Sequence, residues 1–208
     1  MSADPRKQTV ETGYDELAPR FGEWAARVEG DPWERFLDEL TGRLAPGARV
    51  LDLGCGNGQK IARLADRFEV MGVDISEEQL RLARAEIPQA EFVHADLAEL
   101  DVSAESYDAV TAFYSISHVP REEHAALFGK VARWLRPGGL FLASLSANGT
   151  DDWTEEWLGV EMFFSGFDAD TNRGLIREAG FELIVDEVVS MQEPETEATF
   201  LWVLGRKP

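Results

Sequence analysis

Short apolar runs alternate with amphipathic stretches along most of the chain. "RVLDLG" (49–54) is an apolar run ending in glycine, which predicts a strand entering a tight turn. "QKIARLADRF" (59–68) then spaces Ile61, Leu64, Ala65 and Phe68 on one helical face. "EVMGVD" (69–74) predicts a second strand. The helix predicted in "SEEQLRLARAEIP" (76–88) opens with Ser76 and Gln79 spaced as a capping box, ahead of Leu80, Ala83 and Ile87. Third and fourth strands follow in "AEFVHADL" (90–97) and "YDAVTAFYSI" (107–116). A helix in "REEHAALFGKVARWL" (121–135) carries Leu127, Phe128, Val131, Trp134 and Leu135, and "RPGG" turns into a fifth strand, "LFLASLS" (140–146).

Strands alternating with helices imply a doubly wound α/β fold, a parallel sheet covered on both faces. The last stretch departs from the alternation. "FELIVDEVVS" (181–190) and "TFLWVLGR" (199–206) are separated by the acidic, turn-prone "MQEPETEA" rather than by a helix, which predicts a closing antiparallel hairpin. Two N-terminal amphipathic stretches, "YDELAPRFGEWAARV" (14–28) and "PWERFLDELTGRL" (32–44), predict helices before the sheet begins. The expected organisation is a helical cover over residues 1–45 and a sheet domain over 46–208. Between the fifth strand and "DTNRGLIREAGF" lie roughly two dozen residues rich in aromatics and acids, far more than a usual connection. They are expected to form a lid over about 147–172.

Composition narrows the partners. The 208 residues, 44% of them hydrophobic, suffice for one domain with a substantial core. Acidic side chains outnumber basic ones by 39 to 20, a net charge of −19 spread along the whole chain, which disfavours nucleic acid and anionic membranes and favours a neutral or cationic small molecule. Cys55 is the only cysteine, and no metal-ligand spacing of Cys and His accompanies it, so no metal site is expected and a reducing, cytoplasmic compartment is. The N-terminal residues lack the apolar stretch of an export signal.

The glycines Gly54, Gly56 and Gly58 give G-x-G-x-G at the end of the first strand, where ligands of open parallel sheets bind. A dinucleotide fingerprint needs a glycine at position 59, where Gln59 stands, so the pyrophosphate signature is incomplete. Asp74, at the end of the second strand and 20 positions beyond Gly54, is placed to accept hydrogen bonds from a ribose diol. Asp96 follows the third strand, and Asp52 lies within the first.

In these residues, from about Val50 onward, the chain resembles the class I S-adenosylmethionine-dependent methyltransferases, and within them the small-molecule enzymes. "LDLGCGNG" is similar to the family's first motif, and "YDAVTAFYSISHV" and "LRPGGLFLAS" to its fourth strand and the turn before its fifth. The resemblance implies a seven-stranded Rossmann-like sheet and S-adenosylmethionine as cofactor. It implies that Gly54, Cys55 and Gly56 lie against the methionine part, that Asp52 orients its ammonium, and that Asp74 and Ile75 grip the ribose. Asp96, Leu97 and Phe113 are expected around the adenine and reacting groups, with Tyr14 closing over the cofactor or serving only as a helix anchor. The sulfonium and ammonium are cations, consistent with an acidic site.

The implied reaction is in-line transfer of a methyl group to oxygen or nitrogen of a small molecule, in which alignment and exclusion of water do most of the work. An amine acceptor needs only to be neutral, whereas a hydroxyl gains from a base. His118, just beyond the fourth strand, is the best-placed base; its alternative is a histidine that hydrogen-bonds its loop. His94 is expected near the adenine side and His124 on a helix surface. Tyr114, Trp153, Trp157 and Phe163 are candidates for the acceptor wall, the two tryptophans sharing a face of a helical lid through their spacing of four. Ordinary packing accounts for them equally well. Trp202 reads as core, and Glu161 and Asp168 as solvated surface. A monomer or homodimer is expected. The alternatives are methylation of protein or RNA, a non-catalytic cofactor-binding module, and an NAD-dependent dehydrogenase.

Overall fold

The structure, a computed structural model, describes residues 4–208; the first three residues of the expected N-terminal cover lie outside that range. The strands are β1 (Arg49–Leu53), β2 (Glu69–Asp74), β3 (Glu91–His94), β4 (Tyr107–Ala112), β5 (Leu135–Ser146), β6 (Thr150–Trp157), β7 (Val160–Gly166), β8 (Glu182–Gln192) and β9 (Glu197–Arg206). The helices are α1 (Pro5–Ala25), α2 (Trp33–Thr41), α3 (Gln59–Leu64), α4 (Glu77–Glu86), α5 (Arg121–Trp134) and α6 (Ala169–Glu178), with a single 3-10 turn at Ile116–His118. Seven strands form one sheet in the order β3-β2-β1-β4-β5-β9-β8, and only β9 runs against its neighbours. The expected C-terminal hairpin is therefore the pair β8–β9, with β9 inserted beside β5.

The strand order reverses between β1 and β4, the switch point where a crevice opens beyond the strand ends. Val50 of β1 pairs with Val70 on one side and Ala109 on the other, and the strand is buried from Val50 to Leu53, which explains why its sequence is continuously apolar. Two apolar layers flank the sheet. One holds Leu127, Phe128, Val131 and Trp134 of α5 with Ile176 of α6; the other holds Phe36, Leu37 and Leu40 of α2 with Ile61 of α3 and Leu80 of α4. Trp202 belongs to the second layer, as expected of core, and stacks on Phe36 with centroids 4.5 Å apart.

Four local expectations are corrected. The lid contains no helix over its aromatic part, because β6 and β7 pair as an antiparallel hairpin. "RPGG" does not precede the fifth strand but bulges from it, the register with β4 jumping from Tyr107–Leu135 to Ala109–Leu140. The capping box is half made: Ser76 caps α4 through the Gln79 amide, while the Gln79 side chain makes no return bond. His124 is buried rather than on the helix surface, since it lies three and four residues before Leu127 and Phe128 and shares their face.

α1 begins earlier than its apolar pattern suggests, with Asp4 capping the Arg6 amide and Pro5 in the first turn. Its Val10 and Leu17 pack with Val160, Met162 and Phe163 of β7, a third apolar cluster that ties α1 to the hairpin. Among the described residues, no helix is long and apolar enough to cross a membrane.

Candidate active site

The glycine loop is held by backbone bonds. The Gly54 and Cys55 amides both donate to the Val73 carbonyl, at 2.7 and 3.0 Å, so the end of β1 is tied to the end of β2. Gly54 adopts φ +74°, and a Cβ there would stand 2.2 Å from Cβ of Ser115, whose hydroxyl donates to the Leu53 carbonyl. Any larger residue at position 54 would force the ends of β1 and β4 apart. Gly56 differs, because its missing side chain faces open space, with Gln79 Oε1 4.0 Å away as the nearest atom.

Asp74 is buried at the end of β2, and each carboxylate oxygen accepts one backbone N–H, from Gly56 at 2.7 Å and from Ser76 at 2.9 Å. Burial raises its pKa, and these amide bonds oppose the shift. A carboxylate offers about four acceptor positions, so two remain for a ligand. Asp96 takes the Ala98 amide on one oxygen at 2.8 Å and stands 2.7 Å from Lys7 Nζ through the other. Lys7, on α1, is buried and also holds Glu123 at 2.7 Å; desolvation lowers its pKa, but the two carboxylates outweigh that and the net shift is upward.

The opposite wall is aromatic. Tyr14, Phe21 and Trp24 of α1 meet Trp157 of β6, with the Trp24 and Trp157 centroids 5.1 Å apart, and Trp153 stacks on Phe164 of β7. His118 links the two segments. Its Nδ1 lies 2.8 Å from the Phe163 carbonyl, which can only accept, so Nδ1 carries the proton and Nε2 accepts from the Tyr14 hydroxyl at 2.9 Å. Burial lowers the His118 pKa to about 4, and the Phe163 bond offsets this only in part. Tyr114, at φ +61°, is pinned by its amide on Ser144 Oγ at 2.7 Å and by its hydroxyl on Asp31.

Loop, carboxylates and aromatic wall enclose one cavity of about 640 Å³. Of the residues singled out in the sequence, Tyr14, Gly54, Cys55, Gly56, Asp74, Ile75, Asp96, Leu97, Phe113, Tyr114, His118, Trp153 and Trp157 line it. Asp52 and Phe163 do not. Asp52 pairs in register with Thr111 of β4 and accepts its hydroxyl at 2.6 Å within the sheet; burial pushes its pKa up to about 6. Phe163 follows Met162 on β7, buried in the cluster with Val10 and Leu17 under Arg6, and only its carbonyl serves the site. His94, at the sheet edge, donates from Nε2 to the Ile75 carbonyl at 2.8 Å and does not line the cavity.

The sequence pattern does not mark Lys7, Lys60 or Asp31 as site residues and marks Gln79 only as a capping-box partner, although all four line the cavity. A lysine in a polar helix carries no sequence signal of inward orientation.

Comparison with known proteins places this arrangement in a class. Residues 50–139 match the family model described as a methyltransferase domain. The methyltransferase GfsG of Streptomyces halstedii is 31% identical over 196 residues, covering 85% of this chain and 70% of its own. The chain belongs to the class I S-adenosylmethionine-dependent methyltransferases. The 27-O-demethylrifamycin SV methyltransferase of Amycolatopsis mediterranei is 33% identical over 157 residues, 65% of this chain and 57% of its own length; several such relatives are matched over only about half to three-fifths of theirs.

Among solved structures, the Burkholderia thailandensis 1,6-didemethyltoxoflavin-N1-methyltransferase, with bound 1,6-didemethyltoxoflavin and S-adenosylhomocysteine, superposes with a TM-score of 0.70 at 22% identity over 94% of this chain and 84% of that one. The [4+2]-cyclase SpnF gives 0.76 at 19% identity over 98% and 97%. Likeness at this level shows the fold, since a cyclase shares it.

The residues present fit the family's cofactor. The open face of Gly56 provides a backbone cradle, and the buried side-chain amide of Gln79 beside it has no partner among the described residues. Asp74 ends β2, and Asp96 follows β3, the neighbouring strand.

Proposed function

We propose that the protein moves a methyl group from S-adenosylmethionine to an oxygen or nitrogen atom of a small molecule. The observation that carries this reading is the cavity, which has carboxylates and bare backbone at one end and tryptophans and tyrosines at the other. Its size falls within the range of small-ligand sites, about 300–1,000 Å³. A macromolecular acceptor calls for an open groove, whereas α1 and the β6–β7 hairpin close over this space. The names of the relatives include methyl transfer at an oxygen, in the rifamycin enzyme, and at a ring nitrogen, in the toxoflavin enzyme, so both acceptor atoms stay within the proposal.

When bound, the cofactor supplies a methyl group on a sulfonium. In this reading Gly54 to Gly56 receive its amino-acid end, Asp74 and Ile75 its ribose, Asp96, Leu97 and Phe113 its base and reacting region. Asp52 acts from beneath, fixing β1 to β4 through Thr111. The aromatic wall aligns the acceptor and excludes water, which for an in-line displacement supplies most of the catalysis. His118, with its basicity depressed and its lone pair engaged, is a positioning residue that holds Tyr14 over the cavity. In this reading the activity is cytoplasmic, in a compartment that keeps the Cys55 thiol reduced.

Incubation with methyl-labelled S-adenosylmethionine and a small-molecule extract of the producing cells tests this. Label in a discrete low-mass species is expected. Label confined to protein or RNA would overturn the reading.

A further inference from the structure

Two lysines line the cavity and are partnered differently. Lys7 sits between Asp96 and Glu123, each 2.7 Å from its Nζ. Lys60, in the first turn of α3, makes no hydrogen bond or ion pair with any described residue. Its Nζ lies 5.5 Å from the ring centroids of Trp33 and Tyr114 and 5.7 Å from that of Phe113. Ring faces attract a cation but accept hydrogen bonds poorly, so the three N–H donors of the ammonium are left for a ligand. Burial pushes Lys60 toward its neutral form, against the attraction of Asp31 and Asp52.

The surroundings of this ammonium are fixed. Asp31 accepts both the Tyr114 hydroxyl and the Trp33 amide, the latter at 3.1 Å, so two of the three rings share one anchor. A flexible lysine among rigid rings selects for negative charge next to a flat apolar body. Apart from Lys7 and Lys60, the charged groups lining the cavity, including Glu34, Glu155 and Glu193, are anionic, which favours a monoanion over a phosphate dianion.

We propose that this corner is a carboxylate-binding subsite for the methyl acceptor, with Lys60 pairing the carboxylate and Trp33, Phe113 and Tyr114 packing the flat group that bears it. The proposal rests on the methyltransferase reading above and deepens it by naming an acceptor class. The amino-acid end of the cofactor also carries a carboxylate, so the test separates the two sources.

Benzoate serves as probe, with the protein saturated by S-adenosylhomocysteine and binding followed by ligand-observed NMR. Saturable binding is expected in the wild type, weakened about tenfold or more in Lys60→Met and kept within about threefold in Lys60→Arg, where the charge survives. Benzamide, which is uncharged, should not distinguish wild type from Lys60→Met. Benzoate that fails to saturate the wild type, or binds both proteins alike, overturns the proposal. So does a Lys60→Met variant that binds S-adenosylhomocysteine about tenfold more weakly but 5′-methylthioadenosine unchanged, because Lys60 then belongs to the cofactor. A wild type that binds no S-adenosylhomocysteine would instead defeat the methyltransferase reading itself.

Discussion

The two ends of the cavity are held by different kinds of contact. At the glycine end the groups that face a ligand are backbone amides and carboxylates fixed by sheet register: Gly54 and Cys55 on the Val73 carbonyl, Gly56 and Ser76 on Asp74. At the aromatic end they are rings from α1, β6 and β7, whose mutual packing is broad and weakly directional. Directional bonds fail abruptly when an atom moves by a fraction of an ångström, whereas packed rings tolerate a change of shape. One end is thus suited to a single unvarying ligand and the other to ligands that differ in shape.

The largest effect expected is that of Gly54→Ala. The new methyl group meets Ser115 in a left-handed backbone, and a loss of roughly 3 kcal/mol or more should appear in urea denaturation, together with loss of cofactor binding. A mild effect would show that this end is softer than its bonds suggest. Asp74→Ala should weaken S-adenosylhomocysteine binding by about 1–3 kcal/mol in calorimetry, and unchanged affinity would remove Asp74 from the cofactor site.

The sheet beneath the glycine end and the aromatic end also carry groups that titrate in opposite senses. The Asp52 pKa rises from 3.8 to about 6, so the folded state takes up a proton before the unfolded one and gains stability as pH falls through 6. The His118 pKa falls from 6.5 to about 4, so the unfolded state is protonated first and stability is lost over the window from 6.5 down to 4. The slopes oppose each other in the wild type. Asp52→Asn removes the gain, and its melting temperature should drop more steeply on acidification from neutral pH, by the equivalent of about 1–2 kcal/mol. Parallel curves would refute the assignment. The smallest effect expected is that of Tyr14→Phe, which leaves His118 Nε2 without its donor: about 1 kcal/mol of stability and reduced acceptor turnover, with cofactor affinity nearly unchanged because the ring stays.

Legibility in the sequence follows the same division. The β1–β5 alternation and the positions of Gly54, Asp74 and Asp96 were readable because a buried parallel strand writes a continuous apolar run, and ligand groups follow at its end. The helix predicted for Trp153 and Trp157 rests on a spacing of four, which puts two residues on one face of a helix. It does the same in a strand, where side chains alternate with period two, and cross-strand pairing of Trp153 with Phe164 decided the matter. The burial of His124 was legible from Leu127 and Phe128, which share its helical face. Lys7 and Lys60 were not, since their orientation depends on partners that are far away in the chain or absent from it.

α1 touches both ends of the cavity. Lys7 holds Asp96, Asp15 accepts the Ser76 hydroxyl at 2.6 Å, Tyr14 holds His118, and Arg20 donates to the Leu158 carbonyl in the β6–β7 turn at 2.8 Å. Withdrawing the helix far enough to admit one molecule breaks the grip on the other. The segment from 26 to 32 that joins α1 to α2 is itself tied down, by the paired backbones of Glu29 and Gln192 and by Asp31 on the Tyr114 hydroxyl, so α1 braces the two ends as one piece.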